Sequence, residues 1–107
     1  MTDNVMTFFW SIAEPLLANP AVSKGTMMGF PCLRINGDFF ASADHKTGDL
    51  DVKLPAARVL ELIDAEIGQP FVPAGRRFRE WVQIADRDAE RWEALLEEAL
   101  GFVAGTP

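Results

Sequence analysis

Residues 25–40 read GTMMGFPCLRINGDFF. Two strand-like runs meet at Asn36-Gly37. Both central residues of a tight hairpin turn need positive φ, which Asn tolerates and Gly adopts freely. The stretch therefore predicts an antiparallel hairpin, with strands over 31–36 and 38–43. The spacing leaves a two-residue and a three-residue loop both open.

Working outward, residues 49–54 alternate strictly. Leu50, Val52 and Leu54 share one face, and Asp49, Asp51 and Lys53 the other. This is the pattern of a half-buried strand. Pro55 follows where a first helical residue belongs. Val59, Leu60, Ile63 and Ile67 then predict an amphipathic helix stopping at Gly68, a natural residue just past a helix end. Residues 69–78 are rich in Pro, Gly and Arg and read as irregular, with a short strand at Phe71-Val72. A further strand is expected over 80–85, with Val82 and Ile84 opposite Trp81 and Gln83. The last helix is expected over 88–103, capped by Asp88 and buried along Trp92, Leu96, Ala99 and Val103. Residues 105–107 are expected to fray.

Toward the N-terminus, Phe8, Phe9, Ile12, Leu16 and Leu17 recur at helical spacing. Pro15 disturbs this helix, because proline removes a hydrogen bond and clashes with the preceding turn. Ser11 through Glu14 also matches a capping box, which would begin a shorter helix there. One helix over about 5–18, kinked near Ser11, is the preferred reading. Strands grouped between helices then predict an α+β fold. The expected architecture is a two-layer sandwich, an antiparallel sheet with helices on one face, in the order α-β(3)-α-β(2)-α.

The chain has 107 residues, of which 49% are hydrophobic and 24% charged, as expected of one globular domain over 1–107. One cysteine, Cys32, excludes an internal disulfide and any cysteine-rich zinc cluster. The N-terminal stretch carries Asp3 and Glu14 and no basic residue, so it reads as a helix of the fold and not as a signal peptide. No apolar run approaches the roughly 20 residues that span a bilayer. A cytoplasmic protein without membrane contact is the expectation. The net charge of −6 disfavours non-specific attraction to nucleic acid or anionic lipid. The charge is uneven, however. Arg76, Arg77 and Arg79 stand beside a single acid, Glu80, whereas residues 86–107 hold six acids against two arginines.

The ordered set GTMMGFPCLRINGDFFAS, DVKLP, GRRFREWVQI and ERWEALLEEAL resembles the TfoX N-terminal-like and MmcQ/YjbR-like group of small bacterial proteins. The resemblance runs from about Phe8 to Val103. It implies the same two-layer fold and a bacterial cytoplasmic protein. It also implies one of two roles: regulation of competence alongside a transcription factor, or DNA binding through a double-wing surface. Gly29, Gly37, Gly75 and Trp81 match the group's pattern as structural residues. The expectation of a single domain over these 107 residues departs from the full-length regulator, which has a second, helical domain, and their acidity departs from a basic DNA binder.

No catalytic, metal or nucleotide motif is present, and the expectation is a non-enzymatic interaction or regulatory module without a cofactor. If the apolar strand positions face the helices, the other face should show Cys32, Arg34, Lys53, Arg79 and Trp81. Such a cationic face with an aromatic platform suits a phosphate backbone, an acidic peptide or a second copy of the chain. The plainer reading packs Trp81 under the loop of residues 69–78. Arg76, Arg77 and Arg79 are the anion-contact candidates, since guanidinium grips carboxylate and phosphate bidentately. The candidate contact surface is thus Arg34, Lys53, Arg76, Arg77, Arg79 and Trp81. DNA is the alternative partner, and a small molecule held near Cys32 a further one.

Other groupings are weaker. Cys32 and His45 would need hydrogen-bond reach to act as a nucleophilic pair. Asp44, Asp49 and Asp51 with His45 fit neither an EF-hand nor an HExxH site and read as a polar loop. Met27-Met28 beside Phe30 reads as core filling next to the hairpin. Gly25, Gly29 and Gly37 lack the strand-loop-helix setting of a phosphate loop.

Overall fold

The hairpin closes on two residues. Asn36 and Gly37 both lie at positive φ, 53° and 88°, and Ile35 pairs directly with Asp38. The computed structural model describes residues 6–27, 30–44, 46–72 and 75–105, with backbone alone at Met27 and Phe30. Met28, Gly29 and His45 lie outside these. So do the Met-rich patch and the Cys32–His45 pairing that the sequence raised.

Among the described residues, six strands form one antiparallel sheet. They are β1 (Val22–Met27), β2 (Phe30–Ile35), β3 (Asp38–Ala43), β4 (Leu50–Lys53), β5 (Gln69–Pro70) and β6 (Trp81–Ile84). Their spatial order is β1-β2-β3-β4-β6-β5. Helices α1 (Thr7–Ala13), α2 (Ala56–Asp64) and α3 (Ala89–Ala104) complete an α+β fold. One core joins the three helices to Leu33, Ala41, Val52 and Val82, consecutive partners across β2, β3, β4 and β6. This is the face that the alternation assigned to the helices.

The structure corrects several expectations. Four strands, not three, precede α2. Strand β1 gives no local signal because it is an edge strand whose Ser23, Lys24 and Thr26 are exposed, so it carries no apolar alternation. The short strand near residue 71 is instead β5 at Gln69–Pro70, and Phe71 is buried beyond it. Ser11 caps nothing: its hydroxyl donates to the Phe8 carbonyl at 2.7 Å. The first helix runs on into a 3-10 turn, Glu14–Ala18, with Pro15 in its first turn. Proline is tolerated there because that N–H has no helical acceptor anyway. The break therefore falls at Glu14 and not at Ser11.

Helix α2 ends with Glu66 in the left-handed region, at φ 62°, so Gly68 is not its terminating residue. Gly68 has another duty. A Cβ there would lie 2.5 Å from Val82 Cγ2, so only glycine lets the chain pass this close to β6. The apolar stripe of α2 also shifts. Val59 and Leu62 are buried, while Leu60 is 56% exposed.

Helix α3 is closed at both ends. The Asp88 carboxylate accepts from the Arg91 N–H at 3.1 Å, and Gly105 adopts the left-handed conformation that satisfies the last carbonyls. Trp92 is fully buried. Its indole N–H donates to the Asp86 carbonyl at 2.7 Å, and its ring meets Phe8 edge to face at 4.7 Å. Such aromatic pairs stabilise by about 1 kcal/mol beyond their area.

Candidate functional site

Period-2 geometry puts the intervening side chains of the strands on the face away from the helices. Cys32, Ser42, Asp51 and Gln83 are successive partners across β2, β3, β4 and β6 there, and Lys53 pairs with Trp81 one step along. This outer face is not a bare wet surface. Cys32, Ser42 and Asp51 are wholly buried, and Trp81 is only 7% exposed.

Trp81 owes its cover to the chain between β5 and β6. Phe71 lies 6.0 Å from the Trp81 ring, and Phe78 lies 5.9 Å from Phe71, edge to face. Three backbone hydrogen bonds hold the segment: Phe78 N–H to Phe71 C=O, Trp81 N–H to Phe78 C=O, and Leu54 N–H to Glu80 C=O. The aromatic side chains turn inward and stack, so the arginines between them turn outward. Arg76, Arg77 and Arg79 are exposed, and the Arg76 guanidinium stands over the Phe78 ring at 5.6 Å.

These elements meet around a cavity of about 330 Å³, lined by Lys53, Arg76, Arg77, Arg79, Phe78 and Trp81 together with Glu80. Lys53 reaches Glu80 at 3.9 Å. Among the described residues, Arg76, Arg77 and Arg79 form no ion pair. The chain thus brings together five of the six residues that the sequence offered as a contact surface. The sixth, Arg34, stands apart. Its guanidinium lies over Phe39 at 4.7 Å and close above Gly25, and its Nε is buried without an acceptor among the described residues.

Asp51, grouped by the sequence with Asp44, Asp49 and His45 as a polar loop, lies instead inside β4. It is fully buried, and neither carboxylate oxygen has a hydrogen-bond partner among the described residues. Burial first, and then the neighbouring Asp44 and Asp49, push its pKa up to about 8. The neutral acid is the form that the interior tolerates. The available signal was an aspartate set between Leu50 and Val52 in a strand, where Asp is depleted. Its neighbours are engaged elsewhere. Asp49 accepts from Gln83 Nε2 at 3.3 Å and pairs with Arg87 at 3.0 Å, and Asp44 accepts the Lys46 backbone N–H at 2.7 Å.

Nucleophilic chemistry finds little support in this arrangement. Burial raises the Cys32 thiol pKa, against a smaller opposing pull from Arg34, and a buried thiol of raised pKa is a poor nucleophile. Among the described residues no group of three His, Cys, Asp or Glu side chains is placed to hold a metal ion. None of their helices is long and apolar enough to cross a membrane. What the arrangement can do is bind: four cations ring a cavity with an aromatic wall.

Comparison of the chain with family models, with curated proteins and with solved structures finds no match in any of the three.

Proposed function

We propose that the chain is a small, non-enzymatic, cytoplasmic interaction module of the TfoX N-terminal-like kind, engaging an anionic protein partner through Arg76, Arg77, Arg79 and Lys53. The observation that carries this reading is that, among the described residues, no carboxylate pairs with the three arginines, in a protein of net charge −6. Acids are plentiful, and the chain matches Arg58, Arg87 and Arg91 to them. Unmatched guanidinium groups around one cavity are available to carboxylates from outside.

Nucleic acid is the weaker second reading, favoured by the same cation cluster. It lacks the exposed aromatic platform on which bases stack, because Trp81 is covered by Phe71.

The test is fluorescence anisotropy with a labelled oligoglutamate and with a short random-sequence duplex. The triple variant Arg76→Glu, Arg77→Glu, Arg79→Glu is expected to bind oligoglutamate at least about tenfold more weakly than the parent chain. Equal binding by the two proteins removes the arginines from the proposal. Tighter binding of the duplex than of the peptide at low salt, with a steep loss on adding salt, replaces the first reading with the second.

A further inference from the structure

Exposed apolar side chains flank the arginine segment. Leu60 is 56% exposed and Phe102 36% exposed, among the few large apolar residues the described surface presents. Neither is scattered at random. Leu60 lines a cavity of about 370 Å³ that shares Arg77 and Arg79 with the central one. Phe102 and Val103 line another, of about 530 Å³, that shares Lys53, Glu80 and Trp81 with the central one. The three cavities form a chain through common walls. Its middle is cationic; one end adds Ala56 and Leu60, and the other adds Phe39, Phe102 and Val103 beside a single further acid, Asp38.

We infer that this chain of cavities is a docking groove for an acidic stretch of polypeptide carrying an apolar side chain on each side of its carboxylates. The inference deepens the function proposed above and rests on it. Carboxylates suit the centre because an unpaired guanidinium presents a planar fork that takes two oxygens at once. Apolar residues suit the ends because Leu60 and Phe102 gain only by leaving water. A nucleic-acid backbone offers phosphates to the middle and nothing to the ends, since protein–DNA interfaces are the more polar kind. Arg and aromatic side chains at the centre also match the composition of protein-binding surfaces.

Two labelled synthetic peptides decide the matter by anisotropy. The first has a run of Asp and Glu between Leu and Phe; the second has both apolar residues replaced by Ser and the same charge. The first is expected to bind at least about tenfold more tightly. Leu60→Ser and Phe102→Ser are each expected to reduce that advantage while leaving the second peptide's affinity unchanged. Arg77→Glu with Arg79→Glu is expected to remove both peptides. Circular dichroism checks that each variant keeps its helices. Equal binding of the two peptides, or indifference to Leu60→Ser and Phe102→Ser, overturns the inference and leaves the anionic reading standing. Failure of both peptides to bind the parent chain overturns the inference and that reading together. A duplex that outcompetes the first peptide overturns the inference in favour of nucleic acid.

Discussion

Two rows of side chains cross the same four strands one residue apart. The inner row is Leu33, Ala41, Val52 and Val82; the outer row is Cys32, Ser42, Asp51 and Gln83. Both are largely buried, but for different reasons. The inner row is apolar and packs on the helices, so its burial is driven by the removal of hydrocarbon from water. The outer row is polar, and its burial carries a cost at Asp51, whose oxygens have no donor among the described residues. The charged residues divide in a similar way. Arg58 on α2 is tied to Glu98 at 2.8 Å and Glu61 at 3.2 Å, and the hydrogen bond to Glu98 is the main reason its pKa rises. Among the described residues the arginines beside β6 have no ion-pair partner. One side of the sheet satisfies its own chemistry, and the other retains groups that want a partner.

Substitutions on the two sides should therefore behave differently. The largest effect belongs to buried bulk. Leu50→Ala on the inner side is expected to cost about 2–5 kcal/mol, and Trp81→Ala on the outer side about 3–5 kcal/mol, in urea unfolding. A cost below about 1 kcal/mol for Trp81→Ala would mean that the aromatic stack with Phe71 does not hold the outer side together.

Next comes Asp51→Asn, whose effect has the opposite sign. A carboxyl whose folded pKa is raised from 3.8 to about 8 binds its proton more tightly in the folded chain. The contribution is therefore fully present at low pH. It is lost as pH rises between those values, by about 1.4 kcal/mol per pH unit. Asparagine does not titrate, so the variant should lose this slope and become the more stable protein at pH 8. Parallel stability–pH curves for the two proteins would show that Asp51 is not held neutral.

Smaller still is the effect of charge reversal at the untied arginines on folding. Arg77→Glu with Arg79→Glu should change stability by no more than about 0.5 kcal/mol, although binding falls. Arg58→Ala should show the reverse pattern: peptide affinity unchanged, and a loss of about 0.5–1 kcal/mol, as for an exposed ion pair. Thermal unfolding and anisotropy on the same samples separate the two patterns.

Much of the inner side was legible because local rules govern it. Asn36-Gly37 specified the turn, strict alternation placed Leu50 and Val52, and Asp88 announced the start of α3. Each depends on residues only a few positions away. The rest depended on contacts distant in sequence. Strand β1 is recognised by its pairing with β2, not by its own polar residues. Trp81 packs under residues 69–78, as the plainer of the two readings has it, and not as an open aromatic platform; that Phe71 supplies the cover is not legible in a stretch with no regular pattern. Asp51 reads as a solvated strand residue until that side is known to be buried. Leu60 fits a helical stripe on paper, and only the docking of α2 through Val59 and Leu62 shows that it is left over.

The pairing of β2 with β3 slips by one between Leu33 and Arg34, leaving Phe40 without a counterpart. Phe39 therefore meets Arg34 outside, while Phe40 and Ala41 both enter the core. The strand changes phase midway, much as a shifted reading frame changes every later codon. Removing residue 40 would restore an unbroken ladder with Phe39 still outward, but the core would lose a fully buried aromatic ring. At this place the count of residues carries as much information as their chemistry. A single deletion here should be harder to tolerate than most replacements of Phe40 by another large apolar side chain.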